Sequence, residues 1–170
     1  MRYLFIFAAL ALLSACATLS EDQCRAGNWY DIGVRDGAKG RDSDFIFEHA
    51  RACNEFGVAP RAAPWREGRE EGLKQYCTAR NAYRIGQRGQ SLNPVCPGDT
   101  SRLEAANNRG QRWYDLERQI RDAEREIAEI NNRLATLPAD DPSRTSLISQ
   151  RSFLRLDILT YRARQGRYRF

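Results

Sequence analysis

The chain has 170 residues and a formal net charge of +5, enough for one modest domain or a small domain with an extension. No stretch after the first residues is long and uncharged enough to cross a bilayer as a helix, so no such span is expected. The basic excess is uneven: residues 16–100 are balanced, and the surplus falls in residues 101–170.

The first element is a targeting segment. Arg2 supplies a positive charge, residues 4–13 are apolar, and Ser14 and Ala15 are small residues before Cys16, the layout of a secretory signal peptide. The apolar run is about half of the roughly 20 residues a spanning helix needs. Leu13-Ser14-Ala15-Cys16 resembles the lipobox of bacterial lipoprotein precursors. That resemblance implies removal of residues 1–15, diacylglyceryl attachment at the Cys16 sulfur and a membrane anchor, with residues 16–23 as lipidated terminus and tether. Each buried CH₂ of an acyl chain contributes about 0.8 kcal/mol, so two or three chains hold a soluble domain firmly. Ala17 in place of aspartate resembles lipoproteins sorted to the outer membrane, with the domain facing the periplasm.

Once Cys16 is assigned to lipid, Cys24, Cys53, Cys77 and Cys96 remain, an even set in an oxidising compartment, which predicts two disulfides. Three connectivities are open; Cys24 with Cys53 and Cys77 with Cys96 close the most local loops. Close zinc-type pairs such as C-x₂-C are absent, and no metal or cofactor is expected.

Residues 24–98 carry a repeated pattern of an aromatic residue, a glycine three later, and another glycine three or four beyond. It occurs from Tyr30 through Gly33 to Gly37, from Trp65 through Gly68 to Gly72, and from Tyr83 through Gly86 to Gly89. Such spacing puts these residues on one helical stripe. Because glycine costs about 1 kcal/mol in a helix, the repetition predicts close helix contact, in which a groove without side chains admits a neighbouring backbone or ring. Between the first two repeats, residues 45–53 read as a helix ended by Gly57 and Pro60. The expected fold class is all-α: a small disulfide-stapled domain of short glycine-rich helices, then an antiparallel helical hairpin.

The order Cys24, Trp29, Gly33, Asp36-Gly37, Gly40, His49, Cys53, Gly57, Trp65, Gly68, Gly72-Leu73, Tyr76-Cys77, Gly86, Gly89 and Cys96-Pro97 resembles a family of bacterial lipoproteins known as domain of unknown function 2799. The resemblance covers roughly residues 20–98. It implies an envelope lipoprotein and carries no assigned activity.

Residues 101–165 form the expected hairpin. Ser101 and Glu104 match a capping box. From Trp113 the apolar positions Leu116, Ile120, Ala123, Ile127, Ile130, Leu134 and Leu137 alternate in steps of three and four, a coiled-coil seam. This helix of about 36 residues would be roughly 54 Å long. Pro138 to Pro142 then breaks it, with Asp141 as a cap for the second helix. Antiparallel register pairs Leu134 with Leu147, Ile127 with Leu154, Ala123 with Ile158, Ile120 with Tyr161 and Trp113 with Tyr168. It leaves Ile130 against Arg151 and Leu116 against Gln165.

The chain ends in a basic tail, residues 166–170, and Arg162, Arg164, Arg167 and Arg169 are the candidate interaction residues. Nucleic acid is the ordinary partner of such a cluster, but an exported protein rarely meets it; an envelope protein or anionic polymer fits better. Catalytic signals are weak. His49, the only histidine, lies four residues from Cys53, a spacing that suits a thiol and its base, yet a bridged Cys53 offers no thiolate. Glu67, Glu70 and Glu71 read as a solvated helix face rather than a carboxylate pair. The expectation is a non-catalytic envelope lipoprotein serving as a structural or interaction module, with a cell-wall enzyme as the alternative.

Overall fold

The computed structural model describes residues 18–170. Residues 1–15 and Cys16, the expected signal peptide and lipidation site, lie outside the described residues. The described chain is all-helical, with seven helices and no strand: α1 (Glu21–Ala26), α2 (Trp29–Ala38), α3 (Phe45–Asn54), α4 (Ala62–Tyr76), α5 (Ala79–Gln87), α6 (Ser101–Thr136) and α7 (Ser143–Gly166). It divides between Cys77 and Thr78 into two compact units. This boundary differs from the expected break near residue 100, because α5 packs on α6 and belongs with the hairpin.

In the first unit, Ser20 starts α1 with a capping box. Its hydroxyl accepts from the Gln23 amide, and the Gln23 side chain accepts from the Ser20 N–H at 2.9 Å, so two otherwise orphaned donors are satisfied. Leu19 is buried in a core with Cys24, Trp29, Ile32, Cys53 and Trp65. Residues 19–23, expected within a free tether, are thus part of the folded unit, because Leu19 gains an apolar site and Ser20 a capping role. Cys24 of α1 is bridged to Cys53 of α3, a sequence separation of 29. Cys77 and Cys96 are disulfide-bonded as well.

The glycine stripes of α2 and α4 face each other. A Cβ on Gly33 would lie 2.1 Å from the Trp65 carbonyl oxygen, and one on Gly37 2.1 Å from that of Arg69. Reciprocally, Gly68 would clash with the Tyr30 oxygen at 2.0 Å and Gly72 with the Val34 oxygen at 2.1 Å. Residue numbers rise together along both helices, so the pair is parallel, and α3 lies in the return path between them. The spacing is the small-xxx-small pattern that lets helix backbones touch, and such proximity suits Cα–H···O contacts. Here it operates on helices of which none, among those described, is long and apolar enough to cross a membrane.

The second unit repeats the device. A Cβ on Gly86 of α5 would lie 2.1 Å from the Asn107 oxygen, and one on Gly110 of α6 2.2 Å from the Tyr83 oxygen. The helix ends match as well. After α2, Gly40 (φ 70°) takes a left-handed conformation, and the N–H groups of Gly40 and Arg41 donate to the oxygens of Gly37 and Asp36. After α5, Gly89 (φ 73°) and Gln90 donate in the same way to Gly86 and Ile85. Both are Schellman endings, which need a residue tolerant of positive φ. Each is covered by a tyrosine, Tyr76 over Gly40 and Tyr114 over Gly89. Each is also tied back by a side chain of the partner helix. Arg69 Nε donates to the Arg41 oxygen at 2.7 Å, and Asn107 Nδ2 to the Gln90 oxygen at 3.0 Å. The two units therefore contain one parallel helix-pair motif twice.

Beyond this motif α6 continues into the hairpin. Ile120, Ala123 and Ile158 form its buried core, with Ile127, Leu154 and Tyr161 packed against them, as the antiparallel register requires. At the imperfect layer Ile130 is buried, while Arg151 turns its guanidinium to the Asn131 oxygen at 2.8 Å and leaves its Nε without a partner among the described residues. Arg144 closes the turn by donating to the Leu134 and Leu137 oxygens. The first cap differs from the expected one: instead of a Ser101 capping box, the Asp99 carboxylate accepts the Ser101 amide at 2.9 Å. At the second, Asp141 caps as expected, accepting the Ser143 amide at 2.8 Å.

Candidate functional site

The single histidine lies at the centre of the first unit. His49, on α3, is 1% exposed and has both ring nitrogens engaged. Nε2 is 2.7 Å from Asp36 Oδ2 of α2, and Nδ1 is 2.8 Å from Thr18 Oγ1. Trp65 of α4 donates its indole N–H to the same Asp36 oxygen at 2.9 Å. Because that oxygen accepts the indole N–H, the Nε2 N–H donates to it, and Nδ1 shares a hydrogen bond with the threonine hydroxyl. The Phe45 ring lies edge-on to the imidazole at 5.0 Å. This network ties the segment before α1 to α2, α3 and α4.

A cavity of about 230 Å³ opens beside it. Thr18, Asp36 and His49 line it, and Arg35, Lys39 and Arg41 bring three cations to its wall. Arg41 is stacked over the Phe45 ring at 4.3 Å, a cation–π contact that holds its guanidinium in place. The wall suits a small anion more than an apolar ligand. Among the described residues no group of three or more histidine, cysteine or acidic side chains is placed to hold a metal ion.

The other sequence candidates are dispersed. Cys53 shares a helix with His49 but is fully buried in its disulfide, which removes the thiol a nucleophile would need. Glu67, Glu70 and Glu71 are exposed, and Glu71 pairs with Lys74, whose ammonium is held above its ordinary range by that carboxylate. In the second unit Arg162 reaches Glu124 of α6 at 2.9 Å. Arg164 and Arg167 line a shallow cleft with Arg112, Asp115, Leu116 and Tyr168. Residues 166–170, the basic tail, are docked. Arg109 donates to the carbonyl oxygens of Arg167 and Arg169, and the Phe170 ring packs at 5.3 Å on Tyr83, whose phenol burial pushes upward in pKa.

A family model described as "Protein of unknown function (DUF2799)" matches residues 28–112. The chain belongs to the DUF2799 family. The match begins just before α2 and ends two residues past Gly110, so the DUF2799 region takes in both copies of the glycine-paired motif together with Asp36, His49 and Trp65. It extends beyond the stretch to about residue 98 that the sequence resemblance covered. No curated protein and no solved structure matches the chain.

Sequence reasoning singled out His49 but not its partners. Asp36 is 13 residues away and Trp65 16, and no local spacing joins them. Thr18 was hidden by its nearness to the cleavage site. The trace that could have revealed Gly110 is its position four residues before Tyr114, as Gly72 stands four before Tyr76.

Proposed function

We propose that this DUF2799 protein is a non-catalytic lipoprotein of the bacterial cell envelope, anchored through Cys16 in the outer membrane and facing the periplasm. There it serves as a structural or protein-interaction module. One observation carries the non-catalytic reading: the only histidine is buried, spends both nitrogens on internal partners, and has a bridged cysteine beside it. A carboxylate–imidazole–indole network of this kind fixes the relative positions of three helices. The placement of Thr18 and Leu19 supports a short anchor. Two residues span at most about 7 Å, so acyl chains on Cys16 would hold the first unit at the bilayer surface. Arg162, Arg164, Arg167 and Arg169 offer the contact for an envelope protein or anionic polymer.

Cell fractionation tests the reading. The wild-type protein is expected in the outer-membrane fraction, and Cys16→Ser in the soluble periplasm or unprocessed. An altered protein that remains membrane-bound and normally processed would overturn it.

A second reading, a cell-wall hydrolase, draws on the Thr18–His49–Asp36 order, which has the nucleophile–base–orienter sequence of an acyl-transfer site. Turnover of purified peptidoglycan that is lost in Thr18→Val and His49→Gln would establish it. The non-catalytic reading expects no turnover from any of the three proteins.

A further inference from the structure

Helix α7 is apolar on two faces, and α6 covers only one. Ile158, Leu154 and Tyr161 pack into the hairpin. On the other side Phe153, Leu156 and Leu159 are 65%, 58% and 61% exposed, and Ile148 is 43% exposed. At 100° per residue these four side chains fall within an arc of about 140°, opposite the buried seam. The small residues Ser152 and Ala163 lie inside the same arc. So large an apolar surface with no intramolecular partner marks an interaction face.

The charges around it select the occupant. Residues 143–170 carry seven arginines and a single acid, Asp157. Arg155 borders the arc on one edge and Arg164 on the other; with Arg167 and Arg169 they are exposed and make no ion pair among the described residues. An apolar stripe edged by cations repels a second copy of itself. It matches the boundary of an anionic bilayer, where aromatic and aliphatic side chains enter the acyl region and guanidinium groups meet phosphates.

We infer that the outer face of α7 is a membrane-surface docking face, which lays Phe153, Leu156 and Leu159 into a bilayer containing anionic phospholipid while the flanking arginines hold the headgroups. This contact is independent of the acyl anchor; it rests on the envelope reading only for the presence of such a bilayer.

The test is vesicle co-sedimentation of the mature chain carrying Cys16→Ser, so that no acyl group contributes. Vesicles of phosphatidylcholine alone are compared with vesicles that also contain phosphatidylglycerol. Binding is expected to the anionic vesicles, to weaken as salt rises, and to fall roughly fivefold for each of Arg155→Gln, Arg164→Gln and Arg167→Gln. The triple variant F153S/L156S/L159S, at exposed positions and checked for unchanged helicity, is expected to lose binding. Equal, negligible sedimentation with both vesicle types would overturn the inference, as would binding indifferent to the triple change. A dimer in sedimentation equilibrium that dissociates in the triple variant would overturn it in favour of self-association. Because Cys16 is absent throughout, failure here leaves the anchor reading standing, to be judged by fractionation alone.

Discussion

Replacing Gly72 by alanine tests the packing on which the first unit depends. The added methyl would stand 2.1 Å from the Val34 carbonyl oxygen and 2.7 Å from the Ala38 nitrogen, where ordinary contact begins at 3.4 Å. Neither atom belongs to a side chain that can swing away, so α2 and α4 must separate by about 1.3 Å. Overpacking of this kind costs roughly 1–3 kcal/mol, and alanine's better helix propensity returns about 1 kcal/mol. The difference spans about 0–2 kcal/mol, and the expected net loss is its upper end, about 2 kcal/mol, because the methyl meets backbone atoms of a second helix and their separation also loosens Trp65 and Ile32. Since Gly33 and Gly72 keep the same two helices together, the double alanine variant should lose less than the sum of the single changes. Gly166 is the control: it ends α7 with nothing within 4 Å of its would-be Cβ, and Gly166→Ala should be neutral or slightly stabilising. Urea unfolding of the oxidised mature chain, followed by far-UV circular dichroism, reads all five proteins: wild type, the two single glycine variants, the double variant and Gly166→Ala. A Gly72→Ala midpoint equal to or above wild type would refute the backbone-contact account.

Three further outcomes follow from the same structure. Removing the Cys24–Cys53 bridge by paired serines opens a loop with a separation of 29, and loop-closure entropy puts the loss at about 3.6 kcal/mol; an unchanged unfolding midpoint would contradict a structural role for the bridge. His49→Ala takes the imidazole from the buried Asp36 carboxylate and leaves it the Trp65 indole, and the first unit should lose about 3 kcal/mol, measurable by the same titration. The Asp99 carboxyl is held below the ordinary carboxylate range chiefly by the Ser101 amide, and that of Asp141 chiefly by the Ser143 hydroxyl. Their folded-state pKa values are lowered, so their capping contributions are present above the usual value and disappear as pH falls through the lowered one. Amide exchange at the starts of α6 and α7 should therefore speed up in that acid window, and Asp99→Asn should flatten the response at α6.

Much of this fold was legible because its signals are local and periodic. The three- and four-residue alternation from Leu116 to Leu137 sets both the length of α6 and the register against α7, and the turn prolines mark its end. The glycine stripes announced close packing, since repeated glycine inside helices has few other physical reasons. What they did not announce was the partner. Gly110 is isolated in sequence and sits beside a seam that reads as ordinary coiled coil, so α5 was grouped with the cysteine-bounded domain rather than with α6. The polar centre was less visible still. A hydrogen bond between Asp36 and His49 depends on α3 folding back across α2, and the Thr18 contact depends on a segment that reads as a tether until Leu19 is seen to be buried. What holds the tail is equally invisible in its composition: its arginine side chains stand out in the sequence, whereas its backbone oxygens and Phe170 are what bind it to Arg109 and Tyr83.

The account of function depends most on the state of the first mature residue. Mass spectrometry of the N-terminal peptide, from protein extracted from native membranes with detergent, reads that state directly. The expected peptide begins at Cys16 and carries a thioether-linked diacylglyceryl group. A peptide that begins at another residue, or an unmodified Cys16, would contradict the lipoprotein reading.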